Sequence, residues 1–172
     1  SKAFGPDGIS PRVLKECAKE VTLSLCSLYN ISMIQGLVPD RWKEANVIPL
    51  HKNGSKVFVN NYRPVSLLSI VSKIMERCIF NKMFSVLHSD IYQLQHGFMK
   101  GRSCTTQLVQ IIQSLGDTLD SKGQVDILYL DFSKAFDSVP HNLLMYKLKN
   151  YGVGGSLYNW IKDYLYNRKQ RV

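Results

Sequence analysis

Two aspartates flank a short turn in residues 125–141, VDILYLDFSKAFDSVPH. Asp131 ends the apolar run Ile127-Leu128-Tyr129-Leu130, and Asp137 follows six residues later. An unpaired carboxylate buried behind such a run costs several kcal/mol. Asp131 is therefore expected at the exit of a strand, charged and partnered. One reading of that partner is a helix N-terminus or a salt bridge. The other is a divalent cation, because hard oxygen donors are what Mg2+ takes. Asp126 makes a poor second ligand: five residues earlier on a straight strand it faces the opposite side. Asp137 lies near a helix start, where backbone N–H groups satisfy a carboxylate, and that structural role is its simpler reading.

Cations in three loops could bind phosphate. Lys52 and Arg63 bracket the polar stretch NGSKVFVNNYRP (53–64). A point charge and a planar fork together suit a β/γ-phosphate, although on spacing alone a solvated basic loop is the simpler reading. Lys100, Gly101 and Arg102 lie in QHGFMKGRS (95–103), whose glycines let backbone approach a ligand closely. A turn capping the next helix fits them equally well. Tyr164, Tyr166, Arg168, Lys169 and Arg171 mix rings and charges as single-stranded nucleic-acid sites do, and as solvated helix ends also do. His141 reads as a surface residue in the first turn of a helix.

These residues need elements to hold them. Ser10-Pro11 is a cap and first-turn pair, and apolar residues from Val13 to Tyr29 recur at helical spacing until Gly36 and Pro39 end the helix. ANVIPLHK (45–52) predicts a short strand that Pro49 restricts to an edge or an irregular place. Helices are predicted over about 70–87 and about 104–120. Residues 125–131 predict a buried strand; a further helix runs from Ser138-Pro140 to near Gly152, and a last one over about 155–167. Helices dominate, so the class is α/β or, more narrowly, helix-rich α+β.

The chain has 172 residues, 45% hydrophobic and 20% charged, enough for one domain with a real core. Lys and Arg number 22 against 13 Asp and Glu, for a net charge of +9, which points to a polyanionic partner. No apolar run is long enough to span a membrane. The four cysteines and four histidines lack zinc-site spacing, and free buried thiols in a reducing compartment are expected. The first residue is Ser rather than Met and no signal-peptide pattern follows, so a fragment is expected.

LDFSKAFDSVPH resembles the first catalytic motif of reverse transcriptases from non-LTR (LINE-type) retrotransposons. GPDGIS (5–10), WKEANVIPLHKNGS (42–55), NYRPVSLLS (61–69), QHGFMKGRSCTTQL (95–108) and YGVGGSLYNWIKDYLYNRKQRV (151–172) resemble that family's other blocks, in the same order. The resemblance covers essentially the whole chain. It implies the fingers and partial palm of a right-hand polymerase, with about 1–122 mainly fingers and about 123–172 the start of the palm. It implies RNA-templated DNA synthesis by two Mg2+ ions, about 4 Å apart, with Mn2+ as a substitute. RNA template, DNA primer, deoxynucleoside triphosphates and the remainder of the polymerase are the implied partners, no membrane is among them, and the location is intracellular, nuclear and cytoplasmic.

The same resemblance implies the roles of individual residues. Asp131 matches the first metal-binding aspartate, and the Phe132 carbonyl the backbone ligand beside it. The N–H groups of Lys134 and Ala135 match those that meet the triphosphate, and Phe136 matches the ring under the sugar; core packing is its alternative. Lys52 and Arg63 match the fingers cations on the triphosphate, and Lys100, Gly101 and Arg102 the segment beside the template. The family draws two more carboxylates from a later Asp-Asp hairpin. This sequence contains no Asp-Asp pair, and it is expected to stop short of that hairpin and to be inactive alone. The rival expectations are a noncatalytic nucleic-acid-binding remnant, an intron-maturase or telomerase-like polymerase and, more remotely, an unrelated basic scaffold.

Overall fold

The computed structural model describes residues 4–133 and 135–172. They fall into two compact units. One runs from the N-terminal segment to Phe84 and resumes at Val139–Val172; the other is Ser85–Ser138. The helix-rich α+β class predicted from the sequence is the class observed.

The larger unit begins with α1 (Pro11–Glu16) and α2 (Ala18–Gln35). Ser10 caps α1, its Oγ accepting the Arg12 N–H at 3.2 Å, and Pro11 takes the first turn, where its missing N–H costs nothing. The single helix predicted here is interrupted at Cys17, although hydrogen bonds continue through it from Cys17 N–H to the Val13 carbonyl and from Val21 N–H to the Cys17 carbonyl. Gly36 ends α2 at φ 65°, the left-handed cap that favours glycine.

A 3-10 turn at Asp40–Lys43 leads into β1 (Glu44–His51), which pairs antiparallel with β2 (Tyr62–Leu67). β3 (Lys169–Arg171) pairs parallel with Glu44–Asn46, so the strand order is β2-β1-β3. The strand order makes β1 central, so the expectation that Pro49 restricts it to an edge or an irregular place is corrected, and the register shows how Pro49 is tolerated there. Pro49 faces Pro64, and the Lys52 N–H donates to the Asn61 carbonyl at 2.8 Å. Alternation along an antiparallel ladder then makes Pro49–Pro64 a non-hydrogen-bonded pair, in which neither residue needs the N–H it lacks. On its other side β1 pairs only as far as Asn46, so β3 makes no demand on Pro49.

The core gathers Val38, Trp42, Val71, Met75 and Trp160, with Leu25, Tyr29, Met33, Ile79, Ile161 and Tyr164 packed around them. These come from α2, the turn before β1, α3 (Ile70–Leu87) and α6 (Gly155–Leu165). Val71, Met75 and Ile79 recur every four residues, the period of one helix face. Trp160 stacks on Tyr164 with ring centroids 5.4 Å apart, and its Nε1–H donates to Ser32 Oγ at 3.0 Å. Ser32 passes that bond on to the Leu37 carbonyl at 2.5 Å, tying α6 to the end of α2. Truncating a tryptophan so placed costs about 3–5 kcal/mol. Tyr29 donates to the Val71 carbonyl at 2.8 Å, and burial pushes its phenol up to about 12, so it remains a donor at neutral pH. The α5 helix (His141–Asn150) packs on α6 through Met145, and His141 at its start is exposed, as predicted.

The four cysteines are free but exposed, not buried as expected; for Cys26 and Cys78 the α2 and α3 faces that reach the core are filled instead by Leu25, Tyr29, Met33, Val71, Met75 and Ile79. Among the described residues no helix is long and apolar enough to cross a membrane.

The smaller unit holds α4 (Cys104–Asp120) and the extended run before Asp131. Ser103 and Thr106 form a reciprocal capping box that fixes where α4 begins. Residues 125–131 are not the buried strand predicted. Leu128, Tyr129 and Leu130 are more than four-fifths exposed, at 81%, 85% and 82%. Their side chains suit a strand, but strand propensity is realised only against a neighbour, and no strand among the described residues pairs with this run.

Candidate nucleotide and nucleic-acid interface

The β1–β2 hairpin brings Lys52 and Arg63 together. Arg63 lies opposite Leu50 in the register, and Lys52 is two residues beyond Leu50 on the same alternating face. The two cations are thus diagonal neighbours, a spacing of roughly 7–8 Å between positions. Both are exposed, and neither makes an ion pair among the described residues. The intervening loop is held by its own polar groups. Asn61 Nδ2 donates to the Ser55 carbonyl at 2.7 Å, and the Tyr62 hydroxyl to the Lys56 carbonyl at 2.9 Å. The His51 ring meets Tyr62 edge-on at 5.3 Å. Two separated cations on a fixed hairpin can grip an anion with more than one charge.

In the smaller unit Asp131 is exposed at the end of the extended run, and Phe132 follows it at 82% exposed. Ala135, Phe136 and Asp137 form a turn, while Lys134 lies outside the described residues. Asp137 sits in that turn rather than in the first turn of α5, whose N-cap is Pro140. Phe136 is 80% exposed, which excludes core packing as its role within this unit. Its ring meets Phe98 edge to face, centroids 5.8 Å apart and planes at 86°.

Phe98 is a residue that sequence reasoning did not single out. It stands in QHGF with φ 61°, where a bulky residue is a real outlier. The Met99 N–H donates to the His96 carbonyl at 3.3 Å, closing a turn whose third position, normally glycine, is Phe98. Gly97 beside it was the available signal of a tight turn. Lys100, Gly101 and Arg102 follow, all exposed, with Gly101 at φ 77° and the Arg102 N–H on the Met99 carbonyl. They lead directly into the Ser103 cap, so the capping turn and an open basic surface are both present.

Asp131 has the right donor type for a hard divalent cation. The number of donors does not match: among the described residues no three Asp, Glu, His or Cys side chains gather. The residues present therefore do not make a metal centre by themselves.

At the chain's end, Arg168 lies over the Tyr164 ring, 4.5 Å from its centroid, and donates to the Tyr164 carbonyl at 3.0 Å. Burial, reinforced by the nearby Glu76 carboxylate, pushes the Tyr164 phenol up to about 12. Tyr164 is thus part of the core, and Lys169 and Arg171 belong to β3 rather than to a loose basic tail.

A helix-rich fold carrying a basic hairpin and an exposed motif that ends in aspartate defines the class. Residues 50–172 match the reverse transcriptase (RNA-dependent DNA polymerase) family, and the chain belongs to it. Its relatives are of the non-LTR retrotransposon type that its motifs resemble. The RNA-directed DNA polymerase from mobile element jockey of Drosophila melanogaster is 31% identical over 174 residues, 99% of this chain and 19% of that protein. The probable RNA-directed DNA polymerase from transposon BS of the same species is 30% identical, again over 99% of this chain and 19% of the relative. The transposon TX1 uncharacterized 149 kDa protein of Xenopus laevis is 31% identical over 128 residues, 74% of this chain and 10% of the relative. The chain thus spans about a fifth of the length of the first two relatives, which fits the reading of a fragment.

Proposed function

We propose that the chain is the nucleotide-gripping part of an RNA-templated DNA polymerase, with residues of about 1–122 acting as fingers and about 123–172 as the start of the palm. The observation that carries this reading is the hairpin register, which sets Lys52 and Arg63 on one face of a held loop. In this reading the two cations receive the β- and γ-phosphates of the incoming deoxynucleotide. In the same reading, by the family resemblance, the backbone N–H groups of Lys134 and Ala135 meet triphosphate, and Phe136 presents a wall to the sugar. Lys100, Gly101 and Arg102 run beside the RNA template, neutralising phosphates without reading bases.

Asp131 and the Phe132 carbonyl would offer oxygen ligands to a divalent cation, Mg2+ with Mn2+ as a substitute, although the described residues alone do not complete its site. When bound, such a cation would supply activation of the primer hydroxyl and charge neutralisation at the phosphate. The chain's own residues orient the nucleotide. Kinetics in the polymerase that carries this segment test the reading. Lys52→Ala and Arg63→Ala are each expected to raise the KM for deoxynucleotide or lower kcat by about tenfold to a hundredfold, since a charge-assisted contact contributes about 1.5–3 kcal/mol. Unchanged nucleotide kinetics with weaker template binding would move both residues to the template path.

A second reading, a nucleic-acid-binding segment without catalysis, is favoured for this polypeptide by the lack of any three gathered metal-ligating side chains among the described residues. Primer extension on poly(rA)·oligo(dT) by the polymerase that carries this segment separates the two, since only the first reading expects Asp131→Asn to abolish it. The chain alone is expected to show no extension with Mg2+ or Mn2+, and extension abolished by Asp131→Asn would reject the noncatalytic reading.

A further inference from the structure

The β1–β2 hairpin is anchored at one end only. Ala45 at its base is buried, whereas Ile48, Leu50 and Val65 farther along are 49%, 56% and 41% exposed. Beyond Asn46, β1 has no strand neighbour among the described residues except β2. The direction in which Lys52 and Arg63 face is therefore set at the base. There the structure contains an unusual feature. Lys43, the residue before β1, is buried, and its ammonium lies 2.9 Å from the Asp163 carboxylate on α6. The ammonium is equally close to both oxygens, and Oδ2 also accepts the Val38 N–H at 2.7 Å. One residue on from Lys43, Glu44 pairs with Lys169 of β3. The base of the hairpin is thus tied twice to a single segment, once through Asp163 and once through the strand that follows α6.

Buried ion pairs are poor stabilisers compared with apolar packing, and their best-attested use is to fix one geometry. From Lys43 to Lys52 an extended chain covers about 30 Å. A rotation of about 5° at the base therefore moves the tip by roughly 2–3 Å, and a displacement of about 1 Å in a positioned group can cost a hundredfold in rate.

We propose that Lys43 and Asp163 are positioning residues: their part-buried ion pair, between a buried ammonium and a half-buried carboxylate, clamps the root of the hairpin and so aims the Lys52–Arg63 face. Neither touches nucleotide; both act through the strand between. The link to nucleotide rests on the function proposed above, whereas the clamp itself does not.

Spin labels on Val57 at the tip and Lys19 on α2, in a background with the four exposed cysteines changed to Ser, read the distance from tip to body by pulsed electron resonance. Lys43→Met is expected to broaden or shift that distance by roughly 2–3 Å, and Lys43→Arg to leave it narrow. Where Lys43→Met fails to fold, the double variant Lys43→Met/Asp163→Asn carries the test, since it leaves no lone charge and keeps an acceptor for the Val38 N–H. Met75→Ala, a core change away from the hairpin root, is expected to lower stability without broadening the distance. A distribution neither broadened nor shifted in the clamp variants, or an equal change in Met75→Ala, overturns the clamp. In the polymerase carrying this segment, the clamp variants should raise nucleotide KM as Lys52→Ala does, with template affinity unchanged. If Lys52→Ala leaves KM unchanged, the proposed nucleotide role fails, and the spin-label distances still decide the clamp.

Discussion

The rings of Phe98 and Phe136 meet edge to face at 5.8 Å, although each is exposed over most of its surface. An edge-to-face pair contributes about 0.5–1.5 kcal/mol beyond burial. Holding Phe98 in the left-handed region costs about 1–3 kcal/mol. The contact therefore does not account for the strained turn through stability alone. If that ring is a wall against a 2′-hydroxyl, Phe136→Val should admit ribonucleotides at least about tenfold better, which needs only about 1.4 kcal/mol. Phe98→Ala should relax the same selectivity partway. Competitive incorporation of deoxy- and ribonucleotides measures both. Because Phe136 is 80% exposed, the melting temperature of the chain should move little. A large fall in stability with unchanged sugar selectivity removes Phe136 from the site.

Gly5 and Gly8 belong to the same GPDG turn but answer to different forces. A Cβ on Gly5 would stand 2.4 Å from the Leu68 carbonyl carbon, which is backbone and cannot swing aside. Gly8 has open space around it, but its φ is 68°. Gly5→Ala should therefore cost more than the strain-only Gly8→Ala, about 2–3 kcal/mol against about 1 kcal/mol. Urea denaturation followed through Trp42 and Trp160 measures the difference. Equal costs would mean that the Gly5–Leu68 packing yields.

Local signals carried the sequence reading, and pairing between distant segments limited it. The spans predicted over 70–87 and 104–120 match Ile70–Leu87 and Cys104–Asp120, because helix periodicity and the Ser103 cap are written within a few residues. The strand predicted over 125–131 did not form, since a strand exists only by virtue of a neighbour. The pairing of β3 with Glu44–Asn46 was invisible for the same reason, joining segments more than 120 residues apart. Lys52 and Arg63 were legible as cations, but the shared face followed from a register fixed by Pro49 opposite Pro64. Phe98 was masked by its glycine neighbours, which advertised a turn but not the residue that would occupy its strained position.

Asp163 gives stability a defined dependence on pH. Burial alone would push its carboxyl up, but the Lys43 ammonium and the Val38 N–H outweigh that and hold it below its ordinary 3.8. A carboxyl lowered in the folded state contributes stability that is fully present above the unfolded value, and that is lost as pH falls through the folded one. At pH 7 Asp163→Asn should cost about 1.5–3 kcal/mol, the range for hydrogen bonds to charged groups. The difference between parent and variant should hold down to about pH 5 and shrink below about pH 4. Urea midpoints at pH 7, 5, 4 and 3 test this. A difference that stays constant down to pH 3 would assign the cost to packing rather than to charge.

The last prediction concerns the basic turn before α4. Lys100 and Arg102 are exposed on either side of Gly101, and the chain carries a net charge of +9. Binding through phosphates releases counterions, so log K falls with log salt by about 0.7 per phosphate on single strands and about 0.9 on duplex. If these two side chains each neutralise one phosphate, Lys100→Ala and Arg102→Ala should each lower the slope on single-stranded RNA by about 0.7. Affinity should drop by a similar factor for oligo(A), oligo(U) and mixed sequences, because phosphate contacts do not read bases. The α4 helix should be unaffected, since its start is fixed by the reciprocal Ser103–Thr106 bonds rather than by either cation. Fluorescence anisotropy from 25 to 300 mM KCl gives both quantities, and circular dichroism checks the helix. A loss confined to one sequence would mean base reading. Unchanged slopes would place the template path on another basic surface of the chain.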